Sequence, residues 1–488
     1  MFFGINTVSH DLGLSIIDDT GKIIFYAPTE RYNRNKKGVS EFGLHLSKKE
    51  KLKCIFDIFS NIQKPKKGDI VCWVSGDFGG MKTKRAMEEM LIESSNQIKN
   101  ISTNSICQVD ECDGIKYIRL DHHIAHAVSS WMFRKDDEEG KFLVYDGGGY
   151  GVDHVSYHST TGYIDKHKLE IIDKNTIPSS FKISNLLGWM SAGKLMGLAG
   201  YYPEANIQCE FPSGELMEFA GFYKCFIEDL WNSIESKLDK KVVIAGGTAL
   251  ALEINSRIHS KVNDLVFGPA PDDSGLCLGC SAYGYFFSNG HWPSSISTPS
   301  IVSLQSPHFQ VGPQSTREIA KEIHEGKVIF LMRGKAECGP RSLGFRSILS
   351  SCNIENLKLV SVDIKKREFY RPLAPIVTDS QFFNFFSGPK GQYMQYKVEC
   401  KEAAARSIPA VVHRDNSSRP QVVCEKIDPW LHELLVEYGK LSGVECLVNT
   451  SLNVAGKPIC NTNKDLLEFD KETMKNVVVV SIPSFKLY

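Results

Sequence analysis

The chain has 488 residues, 42% of them apolar, which is enough for several hydrophobic cores and so for two or three lobes. Its 57 basic and 57 acidic residues cancel, which removes any global attraction to nucleic acid or membrane and leaves only local charged sites to consider. Fourteen cysteines follow no regular framework, no apolar run reaches membrane-spanning length and no leader pattern precedes the first strand, so the expectation is a soluble cytoplasmic protein with reduced thiols.

In chain order, Phe2 to Ile5 and Leu14 to Ile17 are apolar strands separated by a polar turn, Ser9-His10-Asp11. Asp18-Asp19-Thr20-Gly21 predicts a hairpin into a third strand, Lys22 to Tyr26. Two charged helices follow, near Ser47–Ile62 and Met81–Asn100, and both suit solvated faces. Asp121-His122-His123-Ile124-Ala125-His126 places His122 and His126 four residues apart, on one face of a helix. Such a pair can share a divalent metal or simply hydrogen-bond in a core; the Glu of a His-Glu-x-x-His protease is absent.

The opening grammar then returns. Phe142 to Tyr145 is a strand ending in Asp146-Gly147-Gly148-Gly149, His154 to His158 a second, Ser159-Thr160-Thr161-Gly162 a turn, and Tyr163 to Leu169 a third. Two such copies predict an internal duplication of the actin-like kind, two ribonuclease-H-like halves facing a cleft. Glycines around Lys194 could admit a phosphate, although Walker spacing is missing. Leu216, Phe219, Tyr223, Phe226, Leu230, Ile234 and Leu238 keep a helical period and predict a long helix with one buried face. Val242 to Ala245 runs into Gly246-Gly247 and a helix carrying Asn255, a turn able to hold ribose or phosphate. Asp272 and Asp273 open the next helix and join Asp146 as candidate metal ligands, with capping the alternative for Asp272. Cys277 and Cys280, set among Gly and Leu, read as core residues.

Residues 291–312, rich in Ser, Pro and Gly, mark a linker between domains at 1–290 and 313–488. In the second domain, Lys335, Glu337, Arg341 and Arg346 surround Gly339-Pro340, and Pro340 predicts the first turn of a helix whose free N–H groups form an anion pocket. Arg367 and Arg371 add cations, and Asn449-Thr450-Ser451-Leu452-Asn453 is a polar run after an apolar strand.

The order of these motifs resembles the O-carbamoyltransferase family of antibiotic and nodulation-factor biosynthesis, over nearly the whole chain. The resemblance is carried by Ser9-His10-Asp11, Glu30-Arg31-Tyr32-Asn33-Arg34, His122-His123-Ile124-Ala125-His126, the Gly193–Ala199 run, Asp273-Ser274-Gly275, Glu337 to Ser347, Arg367 to Pro372 and Asn449 to Asn453. It implies an actin-like first domain and an α/β, YrdC-like second domain that makes carbamoyl adenylate from carbamoyl phosphate and ATP. The carbamoyl group then passes in the first cleft to a hydroxyl of a sugar, nucleoside or secondary metabolite. By the same resemblance His122, His126, Asp146 and Asp273 bind a divalent metal, Fe(II) first, with Mn(II) or Zn(II) as alternatives, and His10 is the catalytic base. Lys194, Gly246, Gly247 and Asn255 would hold the adenylate in the first cleft. Lys335, Glu337, Arg341, Arg346, Arg367, Arg371, Asn449 and Ser451 would hold carbamoyl phosphate and Mg-ATP in the second domain. A homodimer is the expected assembly. Tyr150 departs from the family's acid after the Asp-Gly-x-Gly turn, which bears on the acceptor. The competing readings are the same chemistry on a modified nucleoside in tRNA, and an ATP-binding actin-fold protein without transfer activity.

Overall fold

A computed structural model of the protein describes residues 1–6, 11–34, 64–74, 99–103, 105–153, 155–175, 192–210, 212–303, 311–313, 315–475 and 477–483. His10 and the stretches 47–62 and 81–98, expected as helices, lie outside them. Residues 99–103 form a strand rather than the end of a helix.

The first sheet contains β1 (Phe2–Asn6), β2 (Gly13–Ile17), β3 (Ile23–Pro28), β4 (Ile70–Val74), β5 (Lys99–Thr103), β6 (Cys107–Cys112) and β7 (Ile115–Leu120), in the order β3-β2-β1-β4-β7-β6-β5. β1, β2 and β3 form an antiparallel meander, while β4 and β7 add in parallel. The second sheet contains β8 (Gly140–Tyr150), β9 (Ser156–Ile164), β10 (Leu169–Asn175), β11 (Lys241–Ala245) and β12 (Asp264–Phe267), in the order β10-β9-β8-β11-β12. It repeats the plan: a meander, then two parallel additions. Strand order and direction therefore show two ribonuclease-H-like halves, an actin-like first domain.

Local chemistry accounts for the elements. Gly21, at φ 83°, closes the β2–β3 hairpin with Asp18 N–H donating to Lys22 O. Leu216–Ile234 is the expected long helix. The turn expected at Ser159–Gly162 is instead the middle of β9, and the hairpin closes later, where the Asp165 carboxylate accepts from the His167 and Lys168 N–H groups. Gly162 is needed for close approach rather than for turning: a Cβ there would lie 1.9 Å from Glu170 O.

Helices His122–Trp131 and Leu276–Asn289 lie in the core between the sheets. Their backbones touch at Gly279, where a Cβ would meet Ala125 O at 1.9 Å. Cys277 and Cys280 are buried in that core. Cys209 and Cys225, by contrast, form a disulfide, a correction to the expectation of reduced thiols throughout; the loop between two helices brings their Cα atoms to 5.5 Å.

The second domain is built on β13 (Val328–Arg333), β14 (Arg346–Ser350), β15 (Ala374–Thr378), β19 (Gln421–Val423), β20 (Cys446–Ser451) and β21 (Val477–Ile482), with β16 (Phe386–Ser387), β17 (Val398–Cys400) and β18 (Ser417–Ser418) in a small side sheet. No helix follows Pro340, contrary to expectation: the chain stays irregular until β14. The Glu337 carboxylate accepts from the Leu343 and Arg346 N–H groups at 2.7 and 3.3 Å, so two donors that a helix would have bonded internally go to a side chain instead.

The domains are clasped together. Arg34 reaches Glu468, Ile459 O and Pro458 O at 2.8–2.9 Å, and buried Arg31 donates to Gly339 O at 3.0 Å. Gly339 (φ 84°) abuts the first domain: a Cβ would sit 2.0 Å from Pro269 O, just before Asp272 and Asp273.

Candidate functional site

Strand β7 ends at Leu120, and Asp121 caps the next helix by accepting from Ile124 N–H at 3.1 Å. The other Asp121 oxygen accepts from Lys174 at 2.7 Å, which fixes the cap and with it the first helical turn. His122 and His126 leave that turn on one face, and their Nε2 atoms lie 3.1 Å apart. Asp146 arrives from β8, where the register with β9 shifts after Tyr145. Its Oδ1 accepts from Gly247 N–H at 3.0 Å, which leaves Oδ2 facing His122 at 3.3 Å and His126 at 3.6 Å. Asp273 sits in a short turn after β12; its Oδ1 lies 3.4 Å from His122 and 3.2 Å from His126.

These distances test the fit to a metal. Four ligands at about 2.1 Å from a tetrahedral ion stand about 3.4 Å from one another. The five separations above run from 3.1 to 3.6 Å, and all four donor atoms lie within 4.8 Å of one another. Charge agrees with geometry. Burial disfavours charge on every member, yet the carboxylates raise His122 to about 10 and raise His126, while the imidazoles hold Asp146 and Asp273 well below the usual range. Two carboxylates and two neutral imidazoles match a divalent cation in charge, donor type and size. Beside them, His123 Nδ1 lies 2.7 Å from Thr160 Oγ1, which gives one of the polar residues buried within β9 its partner.

A second constellation lies where the domains meet. Arg341, Arg367, Arg371 and Arg419 crowd together. Arg341 is lowered to about 10 by burial and then by Arg419 and Arg371; Arg367 is lowered to about 9 by burial and then by Arg371 and Arg341. Among the described residues Arg341 and Arg367 make no side-chain hydrogen bond or ion pair, and the Arg419 Nε atom is buried without a partner. Such a nest of underused guanidinium groups has the donors and the charge to hold an anion. Asp272 ties it to the metal-type cluster, since its charge acts on both Arg341 and His126; burial, then Asp11, lifts Asp272 to about 6.

The remaining expected residues divide by how their polar atoms are used. Arg346 is fully buried and gives its donors to Asn461 O, Arg333 O, Phe345 O and Gly334 O, so it holds loops together. Asn449 is spent on Ser342 and Gln421, and Asn255 Nδ2 on Ala249 O and Gln395 O. Lys194 lies on helix Ala192–Tyr201 and pairs with Glu368 across the domain boundary. Gly246 takes φ 90° because a Cβ there would meet Tyr145 O at 2.1 Å, and Lys335 is exposed.

Sequence reasoning missed Arg419, and it read Lys365 and Asn453 only as parts of a cationic and a polar run, not as partners. Lys365 follows a π-helical turn, Leu359–Ile364, is only 2% exposed, and donates to Ser451 O, Asn453 O and Asn453 Oδ1 at 2.5–2.6 Å. The signal was a lysine beside Arg367 and a Ser-x-Asn pair far away in sequence, which only the fold brings together.

Fold and site define a two-domain protein: an actin-like cleft with a metal-type cluster, and an α/β domain whose arginine nest opens on the boundary between them. Residues 320–484 match the family model described as carbamoyltransferase C-terminus. Nodulation protein U of Rhizobium tropici is 34% identical over 225 residues, 45% of this chain and 39% of that protein. Nodulation protein NolNO of Sinorhizobium fredii is 26% identical over 428 residues, 73% of this chain and 62% of that protein. A protein of Methanocaldococcus jannaschii is 24% identical across 97% of this chain and 98% of its own length. The chain thus covers less than two thirds of either nodulation protein. Among solved structures, full-length HypF in its phosphate- and nucleotide-bound form is similar at a TM-score of 0.34 and 16% identity, covering 59% of this chain and 55% of that one; the fold assignment rests on this chain's own strand order. The family match thus holds for residues 320–484, the carbamoyltransferase C-terminus, and the nodulation proteins are similar to part of the chain.

Proposed function

We propose that the protein is an ATP-dependent O-carbamoyltransferase acting on a hydroxylated small molecule. The observation that carries this reading is the junction itself: Arg341 and Arg367, without side-chain partners among the described residues, on one side, the His122–His126–Asp146–Asp273 cluster on the other, and Asp272 close enough for its charge to act on both. Carbamoyl phosphate and ATP are both polyanions, and the nest offers fixed cations in a partly dehydrated place, where they act most strongly. In the second domain carbamoyl phosphate yields its phosphate to water. An oxygen of the resulting carbamate attacks the α-phosphorus of Mg-ATP, forming carbamoyl adenylate and expelling pyrophosphate. In the first cleft the acceptor oxygen attacks the carbamoyl carbon and AMP leaves. His122, His126, Asp146 and Asp273 would hold a divalent metal, Fe(II), Mn(II) or Zn(II), which when bound supplies Lewis acidity toward the carbonyl or phosphate oxygens. His10, outside the described residues, is assigned to take the acceptor's proton.

The test needs no acceptor. The protein is incubated with ATP, Mg²⁺ and carbamoyl phosphate, and pyrophosphate and carbamoyl adenylate are followed by mass spectrometry, with Arg341→Ala as control. Formation of both products by the wild type, lost in the variant, supports the reading. ATP binding without either product refutes it and favours a binding-only protein.

A further inference from the structure

The arginine nest accounts for phosphates but not for the aromatic group on its rim. Phe369 stands in the sequence between Arg367 and Arg371, and 63% of its surface is exposed, more than any other described phenylalanine. A singly exposed ring is ordinary; its bracing is not. It meets Tyr201 of the other domain with centroids 5.1 Å apart and planes at 78°, and Tyr370 at 5.4 Å and 85°. Both are edge contacts, which fix the ring without laying another ring flat upon it. Tyr201 is itself held by Tyr202, with centroids 5.1 Å apart, and by the Arg414 guanidinium 5.2 Å from its own ring centroid. The outcome is a stiff aromatic shelf, contributed by both domains, beside an anion site.

Anionic and aromatic recognition together select the ligand class. Carbamoyl phosphate and inorganic phosphates have charge but no π-face, whereas a nucleoside triphosphate has both, separated by a ribose. We propose that Phe369, braced by Tyr201, is the stacking surface for the nucleobase of the triphosphate whose phosphates Arg341 and Arg367 hold. The inference rests on the arginine-nest reading and adds to it the residue that distinguishes a nucleotide from a bare polyphosphate. Because Tyr201 belongs to the first domain, the base site is complete only when the domains are clasped.

The test measures ATP and tripolyphosphate binding by calorimetry, in the absence of carbamoyl phosphate, to wild type, Phe369→Ala and Phe369→Trp. Loss of one stacked base predicts that Phe369→Ala weakens ATP by about tenfold or more, while tripolyphosphate stays within about twofold because it never touched the ring. Phe369→Trp should keep ATP affinity, and ATP but not tripolyphosphate should change its fluorescence. The shelf is overturned if Phe369→Ala binds ATP as the wild type does, or loses both ligands equally. Failure of wild type to bind tripolyphosphate would overturn the nest, and the shelf with it; tripolyphosphate binding with an unchanged ATP affinity in Phe369→Ala would sink the shelf alone.

Discussion

Gly279→Ala should loosen the metal-type cluster without altering any of its ligands. Gly279 lies on the helix that Asp273 precedes, whereas Ala125 stands next to His126 on the other helix. The added methyl would start 1.9 Å from Ala125 O and 2.8 Å from Ala125 C, and both are backbone atoms that cannot rotate away. Reaching an ordinary carbon–oxygen approach of about 3.3 Å requires the helices to part by about 1.4 Å. That motion carries Asp273 away from His126, from 3.2 Å toward about 4.6 Å, well past the separation of about 3.4 Å that a shared ion imposes. Overpacking of this kind costs about 1–3 kcal/mol, and the weakened site adds a second loss. Thermal unfolding should begin earlier than in wild type, and metal per chain, measured by plasma mass spectrometry after reconstitution, should fall below one. Gly193→Ala is the control: among the described residues nothing lies within 4 Å of its added Cβ, and on a helix it should be neutral or stabilise by up to about 1 kcal/mol. Wild-type metal content and wild-type stability in Gly279→Ala would refute the helix-contact argument.

Arg341 and Arg346 should part company although both were assigned to ligand from the sequence. Arg341→Ala should stay folded and lose tripolyphosphate binding by calorimetry. Arg346→Ala strands the carbonyls of Arg333, Gly334 and Asn461, each costing about 1–3 kcal/mol when buried unpaired, so solubility and melting temperature should drop first. Chelation followed by restoring Mg²⁺ alone should leave pyrophosphate release largely intact while removing tightly bound metal; loss of both together would place the metal in the second domain's step. Asp121→Ala removes both a helix cap and the partner of Lys174, and should lower stability by about 1–2 kcal/mol, read by thermal unfolding. Non-reducing mass spectrometry with alkylation should find Cys209 and Cys225 protected until a thiol reductant is added; two freely alkylated thiols without reductant would contradict the disulfide.

Several features were legible because they are local. The hairpin at Asp18–Gly21, the helix Leu216–Ile234 and the paired histidines at four-residue spacing each follow from contacts within a few residues. The repeated strand grammar also survived into two sheets of matching order. Local cues misled where distant partners took over. Ser159–Gly162 looks like a turn but is strand, because Thr160 meets His123 and Gly162 lies against Glu170. Pro340 looks like a helix start, but Glu337 captures the Leu343 and Arg346 N–H groups that a helix would have bonded to its own carbonyls.

By itself the sequence determined which residue types were available: two imidazoles, carboxylates at strand ends, and a second domain rich in arginine. Only the tertiary structure decided how each polar atom is spent. Arg346 finds Asn461 O across 115 residues and becomes scaffold, while Arg341, five residues earlier in the chain, finds no side-chain partner among the described residues. The physical reason is that a guanidinium satisfies itself with whatever carbonyls the fold brings within about 3 Å, and that supply is set by packing between segments far apart in sequence.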